Sequence, residues 1–179
     1  SVLQRQGMDV TVPKKVGLEV GETPDLKQWK EFLNKKNAAT ETVKIGLVGK
    51  YVELQDAYKS IDESLLHAAI YNDRKLDLHL FHSEKITDEN AASQLADMDG
   101  ILIAPGFGQR GIEGKFSAIK FARENNKPLF GICLGMQCMV IEFARNVLGC
   151  SDANSTEMEP NTPHKVIDMM EEQKTVINL

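Results

Sequence analysis

The sequence predicts an α/β fold, a mostly parallel open sheet with helices on both faces. Three observations carry that prediction. From Val43 onward, short β-rich apolar runs alternate with helical patterns. Residues 100–104 are a continuous apolar run, as a strand covered on both faces is. Short turns rich in Gly, Asn or Pro join the pieces, which suits right-handed strand-helix-strand connections.

Residues 1–42 stand apart. Pro13, Gly17, Gly21 and Pro24 punctuate them, and only Leu26, Trp29, Phe32 and Leu33 have helical spacing. A tail, one short amphipathic helix and a linker are expected, with Thr23-Pro24-Asp25 as the start signal and residues 34–42 as a flexible exit. The domain itself is expected from about Val43. Residues 43–48 read as its first strand, and Tyr58, Ile61, Leu65, Ala68 and Ala69 as one side of a helix ending near Asp73. Leu76, Leu78 and Leu80 alternate as a strand does, a shorter helical stretch follows at residues 88–97, and residues 100–104 form a buried strand. The glycine-rich residues 105–114 lead to a helix stopped by Asn125-Asn126-Lys127-Pro128, and residues 129–132 make the next strand. Met136, Met139, Val140, Phe143, Ala144 and Val147 then share one side of a last helix.

Bulk properties narrow the function. At 179 residues the chain can bury one good core. Lys plus Arg is 21 against Asp plus Glu 26, a net charge of -5, so no electrostatic footprint for nucleic acid is expected. Apolar runs of a few residues are far below the roughly 20 that span a bilayer. Cys133, Cys138 and Cys150 form neither a CxxC pair nor a disulfide scaffold, which suits a reducing cytoplasm. The opening Ser1-Val2-Leu3-Gln4 lacks an initiator Met and a leader, and reads as part of a longer polypeptide.

The chemistry concentrates in Gly131-Ile132-Cys133-Leu134-Gly135-Met136-Gln137, where a buried strand turns directly into a helix. This Gly-x-Cys-x-Gly pattern is a nucleophile elbow: the glycines permit a sharp turn, the nucleophile projects from the sheet end, and the next backbone N–H can face an oxyanion. A cysteine suits the position, because a helix N-terminus favours thiolate over thiol. The competing reading is a small buried Cys at a tight turn. A second loop, Pro105-Gly106-Phe107-Gly108-Gln109-Arg110-Gly111, follows the preceding strand, and in a parallel sheet it should gather at the same edge as the elbow. A Gly N–H from it, with that of Leu134, would make an oxyanion hole. Alone, the loop is an ordinary glycine-rich turn.

Residues 131–137 resemble the nucleophile motif of class I glutamine amidotransferases. Further segments resemble the CTP synthases within that family: Gly49-Lys50-Tyr51 with Leu54 and Asp56-Ala57-Tyr58-Lys59-Ser60, then residues 106–114, Phe121-Ala122-Arg123-Glu124 and Asn154-Ser155-Thr156-Glu157. The resemblance covers residues 43–173; residues 1–42 resemble, less distinctively, the end of a synthetase domain and an interdomain linker. It implies a flavodoxin-like amidotransferase fold that hydrolyses glutamine and passes ammonia to a synthetase domain of the same polypeptide, which aminates UTP to CTP. Cys133 would attack the side-chain amide to give a thioester. Gly106, Leu134, Gly135, Met136 and Gln137 would bind glutamine and its oxyanion, and Glu157 would meet the substrate ammonium. Arg110 would belong to a lid involved in GTP activation. ATP and Mg2+ would bind the synthetase domain, the parent would be a homotetramer, and this chain itself would carry no cofactor and no metal. Without the resemblance, Glu157 reads as a solvated loop residue and Arg110 as an exposed loop arginine.

Two departures from the family pattern stand out. Pro105 replaces the usual glycine before Gly106, which leaves the Gly106 N–H intact. The His-Pro-Glu segment that supplies the family's base and its orienting carboxylate does not occur in these 179 residues. His67, His79, His82 and His164 read as surface or packing histidines, so the chain alone is expected not to turn over glutamine, and the sheet strands that close the fold are also expected to be missing. Other readings are an intracellular cysteine hydrolase, a different amidotransferase such as GMP synthetase, or a non-catalytic flavodoxin-like module.

Overall fold

The computed structural model describes residues 2–22, 25–54 and 56–170. Two compact units divide the chain, Ser1–Ala38 and Ala39–Leu179.

The first unit holds three helices where one was expected: α1 (Val2–Arg5), α2 (Met8–Lys15) and α3 (Lys27–Ala38). The residues around Gly7 turn between α1 and α2 with Gly7 at φ 69°, and Pro13 sits inside α2. Residues 34–38, expected as a flexible exit, continue α3, because Lys35 and Lys36 are good helix formers and sit in the last turn, where cations complement the helix dipole. Trp29 and Phe32 stack with ring centroids 5.3 Å apart. The Thr23-Pro24 start signal lies outside the described residues.

The second unit is the α/β body. Its strands are β1 (Glu41–Gly49), β2 (Arg74–His82), β3 (Gly100–Ile103) and β4 (Leu129–Gly131), and β1 starts two residues before the expected Val43. They form one parallel sheet in the order β2-β1-β3-β4. Between them run α4 (Lys59–Tyr71), a 3₁₀ turn at Ser83–Lys85, α5 (Ala91–Leu95) and α6 (Ile112–Glu124), and α7 (Leu134–Asn146) follows β4. The two-residue pleat sorts the strand side chains. Leu47, Leu102 and Ala104 join Tyr58, Ile61 and Leu65 in the cluster that includes α4, whereas Val48, Ile101 and Ile103 join residues of α5, α6 and α7 in the larger cluster. Helices therefore cover both faces, as the sequence predicts.

Two expectations need correction. Gly114 belongs to α6, not to the loop before it: the helix starts at Ile112, and a Cβ at Gly114 would lie 1.7 Å from the Ser83 carbonyl oxygen, so this glycine lets the helix close onto the 3₁₀ turn. On α7 the expected apolar stripe faces largely outward. Met136, Val140, Phe143 and Val147 are exposed, while Leu134, Cys138, Ile141 and Ala144 are buried. The helix is apolar on two sides, so spacing alone could not choose the core face. Past α7, residues 154–155 (β5) pair in parallel with residues 165–167 (β6), a small sheet that the sequence reading did not anticipate.

Candidate active site

Sheet order locates the site. The chain passes from β1 outward to β2, then returns to place β3 on the other side of β1, and ligand crevices in such sheets open at the carboxyl ends of the strands flanking that reversal. The loops there are residues 50–54 and 56–58 after β1, 104–111 after β3 and 132–133 after β4.

At the elbow, Cys133 has φ 52° and ψ -112°, a conformation that L residues adopt at appreciable cost and that is kept where surrounding structure enforces it. The enforcement is visible. A Cβ at Gly131 would lie 2.6 Å from both the Gly135 carbonyl carbon and the Met136 nitrogen, and one at Gly135 would lie 2.1 Å from the Ile103 carbonyl oxygen. The Ile132 N–H donates to that same oxygen at 3.1 Å, so the turn is pressed against the end of β3. Cys133 is thereby exposed at the start of α7, Cys138 is buried and Cys150 is intermediate. Burial pushes the Cys138 thiol up to about 11, which leaves it a packing residue.

The second loop meets the elbow. A Cβ on Gly106 would stand 3.7 Å from Leu134 Cδ2 and 3.6 Å from Lys50 Cδ, so the two loops and the residue after β1 converge. Among the described residues no acceptor engages the N–H of Gly106 or of Leu134. Both are therefore available to a ligand oxygen. Gln109 donates to the Met158 carbonyl at 2.7 Å and ties the loop to the segment carrying Glu157. Glu157 is exposed, with its own N–H on Ser155 Oγ at 3.1 Å, and its carboxylate is near enough to act on the charge of Lys50. Arg110 pairs with Glu84 at 3.3 Å and lies over the Tyr51 ring, 5.6 Å from its centroid. Met136 is exposed, Gly135 is buried, and Gln137 holds its Oε1 buried with no partner among the described residues.

The histidines lie elsewhere: His67 on α4, His79 and His82 on the edge strand β2, and His164 hydrogen-bonded to Asp152. No histidine hydrogen-bonds the Cys133 thiol among the described residues.

Two lysines were missed as site residues. Lys50 is buried, and its Nζ donates to the Phe107 and Gly108 carbonyls at 2.6 Å each. Lys115 is wholly buried on α6 and donates to the Ala104 carbonyl at 2.5 Å. Burial pushes its ammonium down to about 8, and Lys50 pushes the same way. The signal for Lys115 was present: it falls three residues after Ile112 and three and four before Ala118 and Ile119, on the apolar face of its helix. For Lys50 the signals were its place after a strand and its part in the Gly49-Lys50-Tyr51 segment that carries the resemblance.

CTP synthases of Porphyromonas gingivalis and Bacteroides fragilis are 67% and 61% identical to the chain over 178 residues, 99% of its length. The chain spans about a third of the length of these relatives. The solved structure of the glutaminase domain of Trypanosoma brucei CTPS with bound acivicin is 42% identical, with a TM-score of 0.68, over 73% of this chain and 51% of that one. The Glutamine amidotransferase class-I family matches residues 53–178, and with the strained Cys133 elbow on a parallel sheet, the chain belongs to that family.

Proposed function

We propose that the chain is the glutamine-hydrolysing part of a CTP synthase, supplying ammonia for the ATP-dependent amination of UTP. The observation that carries this reading is the exposed, strained Cys133 at an elbow against which the Gly106 loop packs, with the N–H groups of Leu134 and Gly106 unengaged among the described residues. In the proposed reaction the Cys133 sulfur attacks the side-chain amide carbon of glutamine. The two N–H groups receive the oxyanion, and the loss of one such donor typically costs about 2.7–4 kcal/mol of transition-state stabilisation. The C–N bond breaks, ammonia departs with the proton that the Cys133 thiol gives up, and water then hydrolyses the thioester to glutamate and returns a proton to the sulfur. Glu157 would hold the substrate ammonium, and Gln137, with its unpartnered buried Oε1, and Met136 would line the amino-acid end.

Residues 1–42 would be the end of the synthetase domain and the linker, and ATP and Mg2+ would bind in that domain. Among the described residues no cluster of three His, Cys, Asp or Glu side chains could hold a metal ion. Arg110 would move from Glu84 and Tyr51 when GTP activates, and the parent would assemble as a homotetramer. Among the described residues, no helix is long and apolar enough to cross a membrane. The chain by itself would not turn over glutamine, because no histidine stands against Cys133 to move the protons.

The test is treatment with 6-diazo-5-oxo-norleucine followed by mass spectrometry. Labelling at Cys133 that glutamine suppresses is expected; exclusive labelling at Cys138 or Cys150 would overturn the reading.

A further inference from the structure

The loop that brings Gly106 to the elbow is held by little of its own. From Pro105 to Gly108 it makes no backbone hydrogen bond among the described residues, and Phe107 is 81% exposed at its tip. Lysines hold three of its carbonyls, and the Gln109 side chain ties its far end to the Met158 carbonyl. Lys115, rising from α6, takes Ala104 at the root, and Lys50, at the end of β1, takes Phe107 and Gly108 together. Lys50 is itself held in place: its backbone N–H donates to the Tyr58 hydroxyl at 3.0 Å, and its side-chain stem lies against Gly106.

A peptide unit is planar and trans, so a carbonyl fixed in one direction turns the following N–H the opposite way. With the Phe107 and Gly108 oxygens drawn onto one ammonium, neither the Phe107–Gly108 nor the Gly108–Gln109 peptide can flip without breaking a charge-assisted bond. That matters because an oxyanion beside this loop is stabilised by N–H groups and opposed by carbonyl oxygens. An ammonium on a carbonyl also polarises the peptide and strengthens the N–H at its other end.

We propose that Lys50 is a positioning residue for amide hydrolysis at Cys133: it fixes the Phe107–Gly108 and Gly108–Gln109 peptides and packs its stem against Gly106, so that the loop keeps the Gly106 N–H at the elbow. Lys50 touches no reacting atom in this role. Burial and the neighbouring Arg110 lower its proton affinity, the cost of keeping this cation under the loop.

The inference rests on the glutaminase reading and is tested in the full-length enzyme, where glutamine-driven and ammonia-driven CTP formation can be measured side by side. Lys50→Met is expected to lower the glutamine-driven kcat by about tenfold to a hundredfold, with KM for glutamine within about threefold and the ammonia-driven rate unchanged. Lys50→Arg, which can still donate to two carbonyls, should recover much of the loss. An unchanged glutamine-driven kcat, a change confined to KM, or a parallel fall of both rates would each overturn the proposal. A wild-type enzyme that forms CTP from ammonia but not from glutamine would instead sink the glutaminase reading itself.

Discussion

The two glycine-rich loops at the carboxyl edge of the sheet are built on opposite plans. The elbow, residues 131–135, is fixed by lack of space: Gly131 and Gly135 lie where any Cβ would collide with backbone, and Cys133 is forced to φ 52° between them. The loop at residues 104–108 has room. Nothing stands within 4 Å of a Cβ at Gly108, the contacts at Gly106 are ordinary, and the loop is held by lysine ammonium groups reaching in from β1 and α6. One loop gains its geometry from close packing, which resists change in any condition that keeps the fold. The other gains it from charge-assisted hydrogen bonds, which can be withdrawn by titration or substitution without unfolding the sheet. The first kind of support suits the nucleophile proposed at Cys133, and the second suits a loop proposed to admit substrate.

The largest expected effect tests the packed loop. Gly135→Ala sets a methyl 2.1 Å from the Ile103 carbonyl oxygen, where backbone must move on both sides. A stability loss of about 3 kcal/mol is expected in chemical denaturation, at the upper end for overpacked sites. A loss below about 1 kcal/mol would mean that the elbow can relax and that the contrast between the loops is overdrawn.

The packed loop was also the legible one. Gly-x-Cys-x-Gly carries its own steric reason, so the residues at 131–135 spell out the turn, and the strands at 100–104 and 129–132 that flank it are apolar enough to be read directly. The meeting of Gly106 with Leu134 followed from sheet topology. The supports of the open loop were illegible because they come from distant elements: nothing local in Gly49-Lys50-Tyr51 says that the lysine folds over residues 107 and 108, which lie 57 and 58 positions downstream. Lys115 could have been found, since a cation on an apolar helical face must be buried with a partner or stand in a cleft. The face of α7 was misjudged for another reason. Cys138 is small, so the exposed side of that helix, with Met136, Val140 and Phe143, is the more conspicuous hydrophobic stripe in sequence.

An intermediate effect tests the charged supports. In the folded chain Lys115 releases its proton near pH 8, against an ordinary value of 10.5. Between those values the unfolded chain binds more protons than the folded one, so this group makes stability rise with pH across the window, while below pH 8 the folded state bears a buried cation. The rise is on the order of 2 kcal/mol from Lys115. Lys115→Met should flatten urea-unfolding stability between pH 8 and 10.5 relative to wild type. Equal slopes in the two proteins would show that the root of the loop is not held by a titrating cation.

The smallest expected effect is at the tip of the open loop and separates the two plans most cleanly. Gly108 has φ 67°, so alanine there incurs only the left-handed backbone penalty of about 1 kcal/mol, with no neighbour to displace. Its carbonyl still reaches Lys50, because a side chain at this position leaves the peptide plane in place. Gly108→Ala should therefore lower stability by about 1 kcal/mol and leave glutamine-driven turnover in the full-length enzyme within about threefold of wild type. A drop in turnover comparable to that of Lys50→Met, without a comparable loss of stability, would mean that the loop is tuned by its glycine backbone more than by the ammonium beneath it, and the division between a sterically fixed elbow and a charge-held loop would have to be redrawn.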